Sequence, residues 1–252
     1  MSDFFQRCIS GISPKDFIPP VCGKVSTKFR NFFHVAPAQK RSGHFLYLPE
    51  DYSPDFVLDI GAATGFTAFA ALQSFDSIPV HCVEPMKENV EILKKSIALF
   101  PDRAFIHNVA VSDSIGEMEL NIMNSPYANS LFELPAQYGE DNPQVKVVKK
   151  QLVRVETLDS LAEKINVSGN GLVKIDVEGA ELNVLNGGEK FIREHVSAVI
   201  IELAFNRGTT QINNVMDKLR YYGFELSNVF DVAWSRASMN RLEQLDAVYL
   251  KK

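Results

Sequence analysis

Long hydrophobic runs are missing from the sequence, and cysteine is scarce. No apolar stretch approaches the roughly 20 residues that span a bilayer, and charged residues such as Asp3, Arg7 and Lys15 interrupt the first positions. We therefore expect neither a membrane span nor a signal peptide. The 3 cysteines are widely spaced and odd in number. They indicate no disulfide framework and are typical of a protein of the reducing cytoplasm.

An excess of positive charge is missing as well. The chain has 26 Lys and Arg residues against 31 Asp and Glu residues, which gives a formal net charge of −5. The basic residues are dispersed, so we expect no nucleic-acid partner. No Cys/His spacing is typical of a zinc site. A negatively charged protein is also a poor partner for strongly anionic ligands.

The length of 252 residues suits one α/β domain with a modest extension. Residues 1–54 are rich in proline and aromatic residues and predict an N-terminal extension of short helices and loops. A lid over a site and a homodimer interface are alternative roles for it. His34 and His44 would be candidate bases if the extension is a lid, although packing is the commoner role for such residues. Residues 55–252 form the main predicted domain.

From Phe56 onward, apolar strand patterns alternate with helical ones. The predicted strands are 56–60, 79–83, 104–111, 171–177, 197–203, 224–230 and 246–251, and the predicted helices are 64–74, 87–100, one opening at Thr157, 180–194 and 210–222. This order predicts a Rossmann-like α/β sheet with right-handed crossovers, helices on both faces and an antiparallel last strand. Half-exposed alternation at 116–122 and 144–155 predicts a β insertion at the sheet edge, about 114–156.

A glycine-containing turn follows the first predicted strand. Asp59 and Ile60 lead into Gly61-Ala62-Ala63-Thr64-Gly65. Ligands of open α/β sheets bind beyond the carboxyl ends of the strands, at the switch point. Gly61 permits a tight turn and close ligand approach, and Gly65 permits close entry into a helix whose N-terminus attracts an anionic group. We therefore predict that Asp59, Gly61, Ala62, Ala63, Thr64 and Gly65 contribute to a cofactor site.

The same turn argues against two common nucleotide ligands. A dinucleotide fingerprint has glycine where Ala63 stands, and no Gly-Lys-Ser/Thr follows for a phosphate loop. Tyr127 and Tyr138 also lack a lysine four residues later, so the Tyr-x-x-x-Lys pair of short-chain dehydrogenases is missing. An NAD(P)-dependent oxidoreductase remains the less favoured alternative.

Two further strand ends carry candidate cofactor contacts. Glu84 ends the second strand and precedes Pro85, where an acidic side chain can accept hydrogen bonds from ribose hydroxyls. A solvated helix cap is the alternative role for Glu84. After the third strand, Asn108 and Val109 are candidates to contact an adenine edge, unless Asn108 only supports a turn.

These segments together resemble a known family. Residues 57–65 resemble the first motif of class I S-adenosylmethionine-dependent methyltransferases, and residues 81–85 resemble the second. Lys-Ile-Asp-Val-Glu-Gly-Ala-Glu at 174–181 and Ile-Ile-Glu at 200–202 are similar to the FkbM-type family. The resemblance covers roughly residues 55–205 and the final strand. One departure is that Ala63-Thr64-Gly65 contains less glycine than many first motifs.

The resemblance implies a fold, a cofactor and a reaction. The fold would be the seven-stranded class I methyltransferase sheet, and the methyl donor would be S-adenosyl-L-methionine. The reaction would be O-methylation of a sugar, polyketide or other small hydroxylated metabolite. The acceptor that we expect is a neutral small molecule or glycan hydroxyl. A non-catalytic module of the same fold, which holds cofactor or a partner without turnover, is the alternative.

Methyl transfer to a hydroxyl requires a general base within hydrogen-bond reach. If the fourth strand stays extended, Lys174, Asp176 and Glu178 share one side of it. We predict that Asp176 positions substrate or cofactor, that Glu178 is the base, and that Glu202 faces the same cleft. Pairing of Lys174 with an acid, a structural role for Glu202, and a helix-dipole role for Glu181 are alternatives.

Clustered carboxylates would also suit a divalent cation such as Mg²⁺. No fixed ligand spacing demands one, so we assign no metal ligand from the sequence.

Overall fold

The structure is a computed structural model that describes residues 41–124, 129–132, 144–207, 209–235 and 241–252. Most of the predicted N-terminal extension, including His34, lies outside the described residues. So do Tyr127 and Tyr138. The side chains of residues 207, 209 and 210 are likewise not described. The boundary at residue 54 stays a prediction.

The main sheet has seven strands in the order β3-β2-β1-β7-β8-β10-β9. The strands are β1 (Phe56–Ile60), β2 (Val80–Val83), β3 (Ala104–His107), β7 (Gly171–Ile175), β8 (Val196–Ala204), β9 (Phe224–Trp234) and β10 (Leu242–Lys251). β10 is antiparallel to both of its neighbours, β8 and β9. The strands on the other side of it, β8, β7, β1, β2 and β3, are parallel to one another. The prediction of a mostly parallel Rossmann-like sheet with an antiparallel last strand is confirmed.

Helices cover both faces of this sheet. Their bounds are α1 (Phe66–Ser74), α2 (Lys87–Ser96), α3 (Leu158–Ile165), α4 (Glu181–Gly187), α5 (Glu189–His195) and α6 (Thr209–Tyr221), with 3-10 helices at Gly43–Tyr47 and Phe205–Arg207. Side chains of α1, α2 and the first 3-10 helix pack on one face. Side chains of α3 to α6 pack on the other. The five residues of β1 are all buried between these layers, which explains their continuous apolar pattern.

The predicted third strand, 104–111, is wrong in its extent. The chain leaves the main sheet after His107, and β4 (Ala110–Ser112) joins β5 (Gly116–Met123) and β6 (Val147–Thr157) in a second sheet of order β4-β6-β5. The side chain of Asn108 marks the break, because its amide donates to the carbonyls of Glu84 and Pro85 at 2.9 Å each. The predicted insertion therefore belongs to a separate three-stranded sheet.

Two other elements also end earlier than the sequence predicts. The predicted helix 87–100 is observed as α2, which ends at Ser96, and Leu99, in the predicted last turn, is 56% exposed. β7 ends at Ile175 rather than at Val177. In contrast, the helix predicted to open at Thr157 does so, since Thr157 is the N-cap of α3 and its hydroxyl accepts a hydrogen bond from the Ser160 N–H.

The position of β1 creates the switch point of the sheet. β1 pairs with β2 on one side and with β7 on the other, so the connections diverge from its carboxyl end. The ends of β1, β2 and β7 meet there. None of the helices in the described part of the chain has the length and hydropathy that a membrane span requires.

Candidate functional site

The turn after β1 adopts two left-handed backbone conformations at glycine. Gly61 has a φ of 86° and Gly65 a φ of 90°. A Cβ atom at Gly61 would lie 1.8 Å from the carbonyl oxygen of Asp176, and one at Gly65 would lie 2.5 Å from the Leu93 side chain. Gly61 therefore lets the turn pass directly beside the end of β7, and Gly65 lets α1 begin against α2.

Glu84 is tied to this turn by its carboxylate. The Oε2 atom accepts from the Ala63 N–H at 2.9 Å. The Oε1 atom accepts from the Met86 N–H at 2.9 Å and from the Asn89 amide at 3.2 Å. Burial raises the pKa of Glu84 above its ordinary value, against the opposing effect of these hydrogen bonds. Glu84 is only 5% exposed, so it is not a solvated helix cap.

The segment after β7 leaves the strand geometry at once. Asp176 still donates its N–H to the Ile60 carbonyl at 3.0 Å, but Glu178 and Gly179 have φ values of 56° and 107°. The strand therefore does not stay extended to Glu178, because β7 ends at Ile175 and the backbone turns at residue 178, so strand alternation does not place Glu178 on the side of Asp176. The turn itself directs Glu178 toward the cleft.

Contacts from three elements hold this turn in place. The Ser130 hydroxyl donates to the Glu178 carbonyl at 2.7 Å, and the Gln211 amide donates to the Gly179 carbonyl at 2.5 Å. The Glu181 carboxylate accepts from the Gly179 N–H at 3.0 Å. Glu181 therefore stabilises the entry to α4.

Three carboxylates converge beside the turn. Oxygen atoms of Asp176, Glu178 and Glu202 all lie within 4.8 Å of one another. The Gln244 amide donates to Glu202 at 3.2 Å. A second group of potential ligand atoms, from His44, Asp231 and Asp246, also lies within 4.8 Å of one another. Carboxylate oxygens are suitable ligands for Mg²⁺, so the first group could hold a divalent cation.

A buried lysine pairs with one of these acids. The Lys174 Nζ atom lies 2.8 Å from Asp176 Oδ2. Burial lowers the pKa of Lys174, but the carboxylates of Asp176, Asp59 and Asp246 act more strongly together and raise it above its ordinary value. Burial raises the pKa of Asp59 to about 6, although Lys174 opposes this shift.

A cavity of about 320 Å³ opens between the turn and the acidic segment. Its lining includes the predicted site residues Gly61, Ala62, Ala63, Thr64, Glu84, Pro85, Val109, Asp176 and Glu178. Four other predicted site residues do not line it. Of these, Asp59 is buried beneath the turn, Gly65 contacts α2, Asn108 supports its own turn, and Glu202 lies beside Asp176 and Glu178.

The cavity also has wall residues that the sequence did not indicate. Asn89 lies in the first part of α2, and Asn129 and Leu131 come from the segment after β5. Asn89 is the second donor to Glu84 Oε1, after the Met86 N–H. Its position five residues after Glu84 is the sequence signal that could have identified it. His44, which the sequence does indicate as a candidate base if residues 1–54 are a lid, lies in the 3-10 helix before β1 and also lines the cavity.

Comparison with known proteins gives a family match and several fold matches. The sequence profile described as the methyltransferase FkbM domain matches residues 59–226, which is about two thirds of the chain. A search of curated proteins finds no match.

Among solved structures, the methyltransferase FkbM from Methylobacillus flagellatus KT has a TM-score of 0.51 and 16% identity, with 79% of this chain and 44% of that chain covered. This chain thus spans less than half the length of that protein, and the likeness shows the fold alone. An O-methyltransferase from Bacillus cereus in complex with SAH has a TM-score of 0.45 and 11% identity, covering 78% and 74%. A ribosomal protein L11 methylase from Lactobacillus delbrueckii subsp. bulgaricus has a TM-score of 0.42 and 13% identity, covering 80% and 73%.

Proposed function

The chain belongs to the methyltransferase FkbM domain family, and from this premise we propose that it transfers the methyl group of S-adenosylmethionine to a hydroxyl of a small molecule, sugar or glycan. One observation supports the proposal most strongly. A single cavity brings the Gly61 turn and Glu84 together with the carboxylates of Asp176 and Glu178. Cofactor-binding groups and a candidate base therefore border the same space.

The cavity fits the cofactor that the family implies. Its volume of about 320 Å³ falls in the range of small-molecule sites, about 300–1,000 Å³. Apolar side chains for contact with a flat adenine ring are present in the lining, namely Val83, Val109 and Leu131. The Glu84 carboxylate accepts three hydrogen bonds from the protein, and a carboxylate has about four acceptor positions. It therefore keeps capacity for a ribose hydroxyl.

The N-terminus of α1 is a suitable binding position for the methionyl carboxylate of S-adenosylmethionine. Helix N-termini present unpaired N–H groups and a partial positive charge, and α1 starts at Phe66 against the cavity wall. Thr64, in the turn before this helix, and Phe66, its first residue, both line the cavity.

When bound, the cofactor supplies a methyl group that its sulfonium already activates. The protein then has to align the acceptor hydroxyl, remove its proton and keep water away. We assign proton removal to Glu178, which lines the cavity, because a positioned general base contributes about 10²- to 10⁴-fold to such steps. We assign acceptor or cofactor positioning to Asp176, with Glu202 supporting the same acidic group. Alignment for an in-line displacement provides much of the remaining rate.

The role of Glu178 is tested by Glu178→Gln. We expect kcat to fall by about 10²-fold or more, because the amide cannot accept the hydroxyl proton, while affinity for S-adenosylhomocysteine changes little. The matched control is Glu117→Gln on the exposed part of β5, which should leave both quantities unchanged. An unchanged kcat in Glu178→Gln would remove Glu178 as the base and direct attention to Asp176 and Glu202.

The acceptor class is tested with a panel of neutral sugars, glycans and small hydroxylated molecules. Mass spectrometry after incubation with S-adenosylmethionine should detect a methylated product that survives alkali, as an ether does and an ester does not. Methylation of only phosphorylated or nucleic-acid acceptors would contradict the proposal. S-Adenosylhomocysteine binding without any product would favour a non-catalytic module. Repeating the assay with a chelator reports whether a divalent cation at the carboxylates contributes.

A further inference from the structure

Four buried charged residues form a row across one face of the main sheet. Asp59 on β1 is paired with Lys174 on β7, and Glu202 on β8 is paired with Asp246 on β10. Lys174 is also paired with Ile200, two residues before Glu202. Because residues i and i+2 of a strand share a face, all four side chains project to the same side. Each is at most 3% exposed.

Lys174 is the cation of this row. Its ammonium lies 2.8 Å from Asp176 Oδ2, and the negative charges of Asp59 and Asp246 act on it as well. His44 contributes a further titratable group at the far end, where its Nε2 atom is 3.9 Å from Asp246 Oδ2. The Asp176 carboxylate thus holds the ammonium by a hydrogen bond, and the carboxylates of Asp59 and Asp246 act on it electrostatically.

The two partners of the Lys174–Asp176 ion pair differ in their exposure to solvent. The Lys174 side chain is 3% exposed and that of Asp176 is 22% exposed, and both residues line the cavity. The carboxylate is therefore the more exposed partner of the pair, and it offers a ligand in the cavity more surface than the ammonium does. An ammonium at hydrogen-bond distance favours the ionised carboxylate and fixes its orientation.

Resting on the proposed methyl transfer, we propose that Lys174 is a positioning residue that holds Asp176 at the cavity wall as a fixed anion. Asp176 then binds the ligand by accepting its hydrogen bonds, and the proton of the acceptor goes to Glu178. The FkbM-like run at 174–181 would in this way separate the two roles, with an anchored anion at position 176 and a base at position 178.

The test is a double-mutant cycle on the full chain with Lys174→Met, Asp176→Asn and the double variant. If Lys174 acts through Asp176, Lys174→Met should lower kcat/KM by about tenfold or more, and the double variant should be no worse than Asp176→Asn alone. Lys95→Met, at an exposed position of α2, is the matched control and should behave as wild type.

The pH profile provides a readout that a purely structural role would not change. Without the ammonium, Asp176 should take up a proton more readily, so the acid limb of kcat/KM should move to higher pH in Lys174→Met. Other titratable groups face Lys174 or lie close to it, namely Asp59, Cys82, Glu178, Glu202, Asp246 and His44. The double variant separates their contribution, because it lacks Asp176 titration but keeps all of theirs.

Folding is monitored by the melting temperature of each variant. Removal of one partner of a buried ion pair is destabilising, whereas replacement of both by neutral groups is commonly tolerated. The double variant should therefore melt above Lys174→Met. Losses of kcat/KM that add up in the double variant, or wild-type kinetics in Lys174→Met, would overturn the positioning role of Lys174 and leave the proposed methyl transfer standing. Failure of the wild type to bind S-adenosylhomocysteine would instead overturn the proposed function and this role with it.

Discussion

At the scale of single residues, Asp59 combines complete burial with an ionisable group. Its pKa of about 6 results from burial, which outweighs the attraction of Lys174. Below about pH 4 the carboxyl group is protonated in both the folded and the unfolded chain. Between about pH 4 and 6 the unfolded chain releases this proton while the folded chain keeps it. Asp59 therefore makes folding less favourable as the pH rises through this window.

This residue gives a prediction on stability. Asp59→Asn removes the pH-dependent cost, so the free energy of unfolding of the variant relative to wild type should rise between about pH 4 and pH 7.5, by up to about 3 kcal/mol. Urea unfolding at the two pH values measures it. Asp102→Asn, at an exposed position, is the control and should show no such trend. An equal difference at both pH values would contradict the ionisation argument.

The sequence was informative about residues at strand ends and less so about residues that approach from elsewhere. Glu84 and Asp176 could be predicted to border a ligand site because each follows a buried strand at the switch point. Asn129 and Leu131 could not, since they follow β5 in the second sheet and reach the cavity only through the tertiary fold. For Asn108 the sequence left two roles open, an adenine contact and support of a turn, and the contacts of its amide with the Glu84 and Pro85 carbonyls agree with the second.

At the scale of elements, the turn between β1 and α1 depends on glycine for two separate reasons. Gly61 and Gly223 both have positive φ values, 86° and 89°. Only at Gly61 would a Cβ atom meet another group, the Asp176 carbonyl at 1.8 Å, because nothing lies within 4 Å of a Cβ at Gly223. The two positions therefore separate backbone strain from steric overlap.

Alanine substitutions at these two glycines should differ in effect. Gly223→Ala should lower the free energy of unfolding by about 1–2 kcal/mol, the cost of a left-handed non-glycine residue. Gly61→Ala should cost more, and it should also weaken S-adenosylhomocysteine binding because the Asp176 segment must move. Urea unfolding and calorimetric titration measure the two effects. Equal stability losses with unchanged binding would show that the turn is not coupled to the acidic segment.

The extent of the elements could be predicted only where the local pattern changes at their ends. β1 and β2 were placed to within one residue because glycine or Glu84-Pro85 follows them directly. The sequence pattern predicts a third strand that reaches Val111, because Ala110 and Val111 are as apolar as the strand itself. Their burial is real, but it belongs to the second sheet, and pairing partners cannot be inferred from one apolar run.

At the scale of the whole molecule, the fold brings the groups that we assign to cofactor and acceptor together at the carboxyl ends of the parallel strands. The ends of β1 and β2 supply the groups that we assign to the cofactor, and the end of β7 supplies the acids that we assign to the acceptor. The sequence predicted this arrangement because parallel strands direct their carboxyl ends to the same edge. It could not predict the acceptor, because the loops that would shape that side of the site carry no pattern tied to a ligand.

The central claim is that the chain binds the methyl donor through the Gly61 turn and Glu84. Calorimetric titration with S-adenosylhomocysteine, on wild type, Glu84→Ala and Glu84→Gln, tests it most directly. Melting temperatures identify a variant that fails to fold, since Glu84 also holds Ala63, Met86 and Asn89. We predict micromolar binding by the wild type and a loss of about tenfold or more in the variants, because hydrogen bonds to the charged carboxylate are removed. Binding of NADH in place of S-adenosylhomocysteine, or equal affinity in folded Glu84 variants, would contradict the account.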